Sequence, residues 1–107
     1  MAEPWVKEYG PDDAAIAARE GHRFGVTLPQ AGRHRWILTD MFDKHVVQVQ
    51  GNPSNPHPPD GGTGKRWLLQ AMREGSTTLE FVTEKPTSFE PNPAPAPVTI
   101  DVSVRGW

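Results

Sequence analysis

The sequence contains no cysteine, which excludes disulfide bridges and any zinc site with a cysteine ligand. No apolar run approaches the roughly 20 residues of a membrane-spanning helix. A basic excess is also missing, since 11 Lys and Arg stand against 13 Asp and Glu, and nucleic-acid binders usually carry such an excess. We therefore expect neither a nucleic-acid nor a membrane partner.

Signals for secretion and for catalysis are equally scarce. The N-terminus lacks a charged stretch followed by an apolar one, so no signal peptide is predicted, and the compartment stays open between the cytoplasm and secretion after trimming. None of the four histidines has a metal-like spacing to another histidine or an acid. The serines lie in no nucleophile-elbow pattern. We expect a protein that is not an enzyme and uses no cofactor.

Glycine and proline are abundant, with 10 Gly and 12 Pro. Many of them fall within residues 51–64 and 85–97, where they indicate long loops in an all-β protein. The length of 107 residues suits one domain over residues 1–107. Within it, residues 1–14 could either contribute an edge strand that begins at Trp5 and Val6 or be loosely ordered. We expect a monomer.

Outside these loops, the sequence consists of short segments in which apolar residues alternate with polar or small ones. Phe24, Val26 and Leu28 alternate with polar or small residues, and Pro29 should end that strand because it cannot donate to a ladder. Residues 14–20 fit a helix or a strand equally well. About seven short strands separated by turns predict an immunoglobulin-like antiparallel β-sandwich. The same alternation predicts a core that includes Trp36, Trp67, Leu69, Leu79, Phe81, Ile100 and Val102.

Three turn-rich segments each adjoin a predicted strand, and a sandwich can gather such loops at one end as a binding surface. The candidate binding residues are Gln30, Ala31, Gly32, Arg33 and His34 in the first loop, Gly61, Gly62, Thr63, Gly64 and Lys65 in the second, and Lys85, Pro86, Thr87 and Phe89 in the third. The second loop lacks the spacing of a phosphate-binding loop and precedes a strand, so no nucleotide site is predicted.

Each loop also has a simpler interpretation. The small residues at 30–32 fit a narrow cleft, but they also fit a tight connection between two strands. Arg33, His34 and Arg35 could meet an acidic groove, although a solvated rim is the favoured interpretation. Phe89 could anchor a partner or lie against its own domain.

The order of strands and loops over residues 16–105 resembles the chagasin family of inhibitors of papain-like cysteine peptidases. Residues 21–29 match a family strand that begins with Gly and ends in Leu-Pro, and Trp36 matches the tryptophan of the next strand. Residues 61–75 match a Gly-rich loop that leads into a strand and a Gly-containing turn. Lys85-Pro86-Thr87 lies where the family has Arg-Pro-Trp.

The resemblance implies a reversible inhibitor that wedges three adjacent loops into the cleft of a papain-like cysteine peptidase. In the family, the first loop approaches the catalytic cysteine and the third stacks its Trp on the enzyme. Here the first loop is about two residues shorter and lacks Asn-Pro-Thr-Thr, and Thr87 replaces the Trp. Two alternatives are a non-inhibitory interaction or structural module on the same scaffold, and a carbohydrate-binding sandwich or enzyme with outward-facing aromatic residues.

Overall fold

The computed structural model describes residues 6–29, 33–51, 53, 65–86, 89–91 and 93–106. These residues form eight strands and no helix. The strands are β1 (Lys7–Tyr9), β2 (Ala15–Arg19), β3 (Arg23–Leu28), β4 (Arg35–Leu38), β5 (Val47–Val49), β6 (Lys65–Ala71), β7 (Gly75–Glu84) and β8 (Val98–Arg105). The described residues include no helix that is long and apolar enough to cross a membrane.

The strands form two four-stranded sheets, in the orders β1-β3-β6-β5 and β2-β8-β7-β4. The predicted immunoglobulin-like sandwich is therefore confirmed, with eight strands where about seven were expected. Most neighbouring strands are antiparallel, but β1 pairs with β3 and β2 pairs with β8 in parallel. This mixture arises because the N-terminal segment adds one edge strand to each sheet.

Residues 14–20, for which the sequence pattern fits a helix and a strand equally well, contain the strand β2. Ile16 is buried and Arg19 is exposed, as expected of a strand at the edge of a core. Helix propensity is a weak preference that tertiary context overrides. Here the pairing of β2 with β8 decides the conformation.

The core lies between the two sheets and follows the predicted alternation. Trp67 of one sheet packs against Phe81 of the other, with ring centroids 4.9 Å apart. All seven residues predicted for the core are buried, together with the alternating residues of β3 and β8. Burial of large aromatic side chains from both sheets makes the sandwich one packed unit.

Two strand boundaries differ from the periodicity. The apolar alternation of residues 45–50 favours a strand from His45 onwards, but β5 begins at Val47, because residues 43–46 form a turn in which His45 N–H donates to Asp43 Oδ1 at 2.8 Å. The residue types at 74–76 favour a turn at these positions, but β7 already begins at Gly75. Local turn contacts, which apolar alternation does not encode, set both boundaries.

The edge strand β1 is fastened to its sheet across Gly25. The Glu8 carboxylate accepts two hydrogen bonds from Arg66, at 2.9 Å from Nε and 2.6 Å from Nη2. A Cβ on Gly25 would lie only 2.7 Å from Glu8 Oε2 and from Arg66 Nη2. The absence of a side chain at position 25 therefore allows the ion pair between Glu8 of β1 and Arg66 of β6 to cross β3.

Candidate functional site

The strand register brings the bases of the three candidate loops to one end of the sandwich. Leu28, the last residue of β3, pairs with Lys65, the first residue of β6. In the other sheet, Arg35 at the start of β4 pairs with Glu84 at the end of β7. We call the end marked by these four residues the loop end.

The remaining strand ends agree with this arrangement. β5 runs antiparallel to β6, and Gln50 N–H donates to the Leu68 carbonyl at 2.7 Å, so the chain leaves β5 towards the loop end. β8 begins at Val98, opposite Phe81 of β7. Residues 29–34, 50–64 and 85–97 thus all start and finish near the loop end.

Several predicted contact residues lie outside the described residues. They are Gln30, Ala31, Gly32, Gly61, Gly62, Thr63, Gly64 and Thr87. Their role in binding stays a prediction, and the site is built here from the residues that flank them.

The first and third connections are joined by a direct hydrogen bond. Arg33 N–H donates to Glu90 Oε2 at 2.6 Å. On the other side of the first connection, Trp36 Nε1 donates to the Pro29 carbonyl at 2.9 Å. Both ends of the first connection are therefore held, one by the core tryptophan and one by the third connection. Glu90 was not predicted, because nothing in the local sequence indicates a partner 57 positions away.

His34 departs from the solvated rim expected of residues 33–35. Arg33 and Arg35 are exposed, whereas His34 is only 6% exposed. The reason is the period-two alternation of β4, which extends back through residue 34 and places His34 on the same face as Trp36. The exposed positive charge at this position comes from the two arginines.

Lys65 contributes to the fold as well as to the loop end. Its Nζ donates to the Trp36 carbonyl at 2.8 Å, so it links the first residue of β6 to the edge strand of the other sheet. The side chain is half-buried.

The third connection carries the most exposed large apolar side chain at the loop end. Phe89 is 82% exposed, so it does not lie against its own domain. Lys85 is exposed and Pro86 is half-buried. Aromatic side chains are enriched at protein-contact surfaces.

A groove of about 500 Å³ adjoins Lys65, between the edge strands β4 and β5. Trp36 and Trp67 line it, but each is only 3% exposed. They pack inward as predicted, so they do not form the exposed platform that a carbohydrate-binding surface needs. Among the described residues, no group of three or more His, Asp or Glu could hold a metal ion.

No protein-family model matches the chain, and no curated protein matches it by sequence. Solved structures do match. A cysteine protease inhibitor from Entamoeba histolytica is 14% identical, with a TM-score of 0.67 over 96% of this chain and 100% of that one. PbICP-C, solved in complex with falcipain-2, is 13% identical, with a TM-score of 0.54 over 100% of this chain and 95% of that one.

The same fold also occurs in a different kind of protein. Domains 4 and 5 of the S-layer protein SbsC are 16% identical, with a TM-score of 0.58 over 87% of this chain and 48% of that one. At these identities the likeness shows a shared fold. The fold expected from the resemblance is thereby confirmed, and the structures that share it include cysteine protease inhibitors.

Proposed function

We propose that this protein is a reversible inhibitor of papain-like cysteine peptidases, which inserts the connections at its loop end into the active-site cleft. The observation that carries the proposal is the register that brings Leu28, Lys65, Arg35 and Glu84 together in a fold shared with cysteine protease inhibitors. The proposed contact surface comprises residues 30–33, 61–65, 85–87 and 89; His34, the remaining predicted contact residue, is buried.

The proposed mechanism is non-covalent, and the chain has no cysteine that could form a mixed disulfide with the catalytic cysteine of the enzyme. Loops held by a rigid scaffold lose little conformational entropy on binding. The Arg33–Glu90 hydrogen bond and the Trp36–Pro29 hydrogen bond supply that preorganisation for the first connection. The inhibitor blocks the cleft by occupying it, and dissociates intact.

The direct test is a titration of papain-like peptidases, including falcipain-2, with the purified protein and a fluorogenic peptide substrate. We expect competitive inhibition that is reversed by dilution. If every peptidase in the panel kept full activity at micromolar concentrations of the protein, the proposed inhibitor function would be wrong. The description of the fold would not be affected.

Phe89 is the side chain that we expect to replace the missing tryptophan of the third loop. Buried aromatic anchors contribute about 2 kcal/mol or more at interfaces, so Phe89→Ala should weaken inhibition by roughly 30-fold. The stability of the Phe89→Ala variant should equal that of the parent protein, because the Phe89 ring is 82% exposed.

Met41→Ala is the matched control for this prediction. Met41 is 80% exposed but lies between β4 and β5, outside the three connections. Its removal should leave inhibition unchanged. Equal losses in the two variants would argue against Phe89 as an anchor.

The second candidate is a non-inhibitory interaction or structural module. The S-layer domains of the same fold favour it, as does the replacement of the family Trp by Thr87. The peptidase titration separates the two candidates, since only the first predicts a loss of peptidase activity.

A further inference from the structure

A second cleft lies between β1 and β2, which are edge strands of the two sheets. Its volume is about 470 Å³, and it is lined by four cationic residues, Lys7, Arg19, Arg23 and Arg105, and by His22. We call it the basic cleft. Arg19 and Arg105 are the last residues of β2 and β8, so they lie at the end of the sandwich opposite the loop end.

The positive charge of the basic cleft is not a consequence of composition, since the formal net charge of the chain is -2. Among the residues that the structure describes, no carboxylate lines the cleft. Glu8, the acid nearest in sequence to Lys7, instead binds Arg66. Within the described residues, neither Lys7, Arg19 nor Arg105 takes part in an ion pair.

The acids nearest to the two arginines also bind elsewhere. Glu20, next to Arg19, accepts a hydrogen bond from the backbone N–H of Glu74 at 3.3 Å. Glu74 in turn accepts one from Gly106 N–H at 3.3 Å. These two carboxylates are held by the backbone N–H groups of Glu74 and Gly106, so neither of them lies among the residues that line the cleft.

Arg19 and Arg105 are direct neighbours in the register of β2 and β8. Both are exposed on the same face of the sheet. Like charges at directly opposed positions on adjacent strands, which lie about 4.8 Å apart, destabilise a sheet. An anion bound between the two guanidinium groups would remove this repulsion and accept their hydrogen bonds.

The basic cleft is lined by aromatic side chains and lies between the edges of two strands. Tyr9 and Phe24 line it, with an edge-to-face contact at a centroid distance of 6.2 Å. Among the described strands, β1 pairs only with β3 and β2 only with β8. Each strand therefore presents an edge to which an extended peptide can add backbone hydrogen bonds.

We propose that the basic cleft binds an extended acidic peptide segment of a partner protein, with carboxylates on Arg19, Arg105 and Lys7 and backbone along a free edge. The two free edges favour a polypeptide over a nucleic acid, which has no backbone amides to pair with them. The site lies at the end opposite the loop end and does not depend on peptidase inhibition.

Fluorescence anisotropy of a labelled peptide of alternating Glu and Val, titrated with the 107-residue protein, tests the proposal. We expect saturable binding that weakens as salt rises, and no binding of the peptide with Lys in place of Glu. The double variant Arg19→Ser with Arg105→Ser should lose roughly tenfold or more in affinity, because charge-assisted hydrogen bonds are lost. Both arginines are exposed, so the fold should persist, and peptidase inhibition should match that of the parent protein.

The matched control is Arg35→Ser with Arg73→Ser, which removes the same charge from exposed positions outside the basic cleft. It should keep the affinity of the parent protein. Three results would each overturn the proposal: no binding of the acidic peptide, equal losses in the two double variants, or equally tight binding of an oligodeoxythymidylate.

Discussion

Tyr9 shows how a single residue at the sandwich edge responds to its surroundings. Burial and, to a lesser extent, the negative charge of Asp13 raise the pKa of Tyr9 above its ordinary value of 10.0. The folded state therefore holds the phenol proton more tightly than the unfolded chain does. The stability linked to this group is complete below about pH 10 and is lost as the pH rises through the folded-state pKa.

This leads to a titration experiment on a single group, because the chain contains 1 Tyr. Ultraviolet titration of the tyrosinate band should give one transition, with a midpoint above that of the same protein unfolded in urea. Tyr9→Phe should abolish the transition and reduce the loss of stability at alkaline pH. A folded-state midpoint at or below the unfolded one would contradict the prediction.

At the same scale, His34 and Phe89 show that residue type alone does not fix exposure. The imidazole is buried and the aromatic ring is exposed, which is the reverse of what their polarities favour. The alternation of β4 places His34 inward. Phe89 lies in the connection between β7 and β8, where no strand periodicity turns it towards the core.

At the scale of elements, Lys65 fastens the two sheets at the loop end. Its ammonium group binds the Trp36 carbonyl at 2.8 Å, which joins β6 to β4. Lys65→Met should destabilise the protein by about 1–2 kcal/mol, because the half-buried carbonyl loses a charged donor. Urea unfolding measures the difference.

Lys44→Met is the control for this prediction, because Lys44 makes a surface ion pair with Asp40. Exposed pairs contribute less than about 1 kcal/mol, so this variant should unfold near the parent midpoint. If both variants lost the same stability, the link between the sheets at Lys65 would have no special energetic role.

At the scale of the whole molecule, both sheets share one continuous core. Each sheet buries its apolar face against the other sheet, so removal of either sheet would expose that face to water. The strand pairs also join distant parts of the chain, such as β1 with β3 and β2 with β8. Such a topology folds slowly, in roughly milliseconds to seconds.

The shared core predicts cooperative unfolding. Trp36 and Trp67, two of the 4 tryptophans, are buried, so the tryptophan emission of the double variant Trp5→Phe with Trp107→Phe reports on the core, while far-ultraviolet circular dichroism reports on the strands. The two urea transitions should coincide, as expected of a two-state domain of this size. Two separate midpoints would mean that the sheets unfold independently.

The sequence by itself determined the local part of this structure. Period-two alternation fixes which side chains of β3, β6, β7 and β8 face the core, since successive side chains of a strand must point to opposite faces. Pro29 ends β3 at Leu28 because proline lacks a backbone donor. The density of proline marks where the long connections lie.

Only the tertiary structure decided which segments are neighbours. The parallel pairing that sets Arg19 beside Arg105, the bond from Arg33 to Glu90 and the Glu8–Arg66 pair across Gly25 join residues far apart in the chain. Alternation specifies the face on which a side chain lies but carries no information about the partner strand or its register. Those depend on how the whole core closes, and they create both the loop end and the basic cleft.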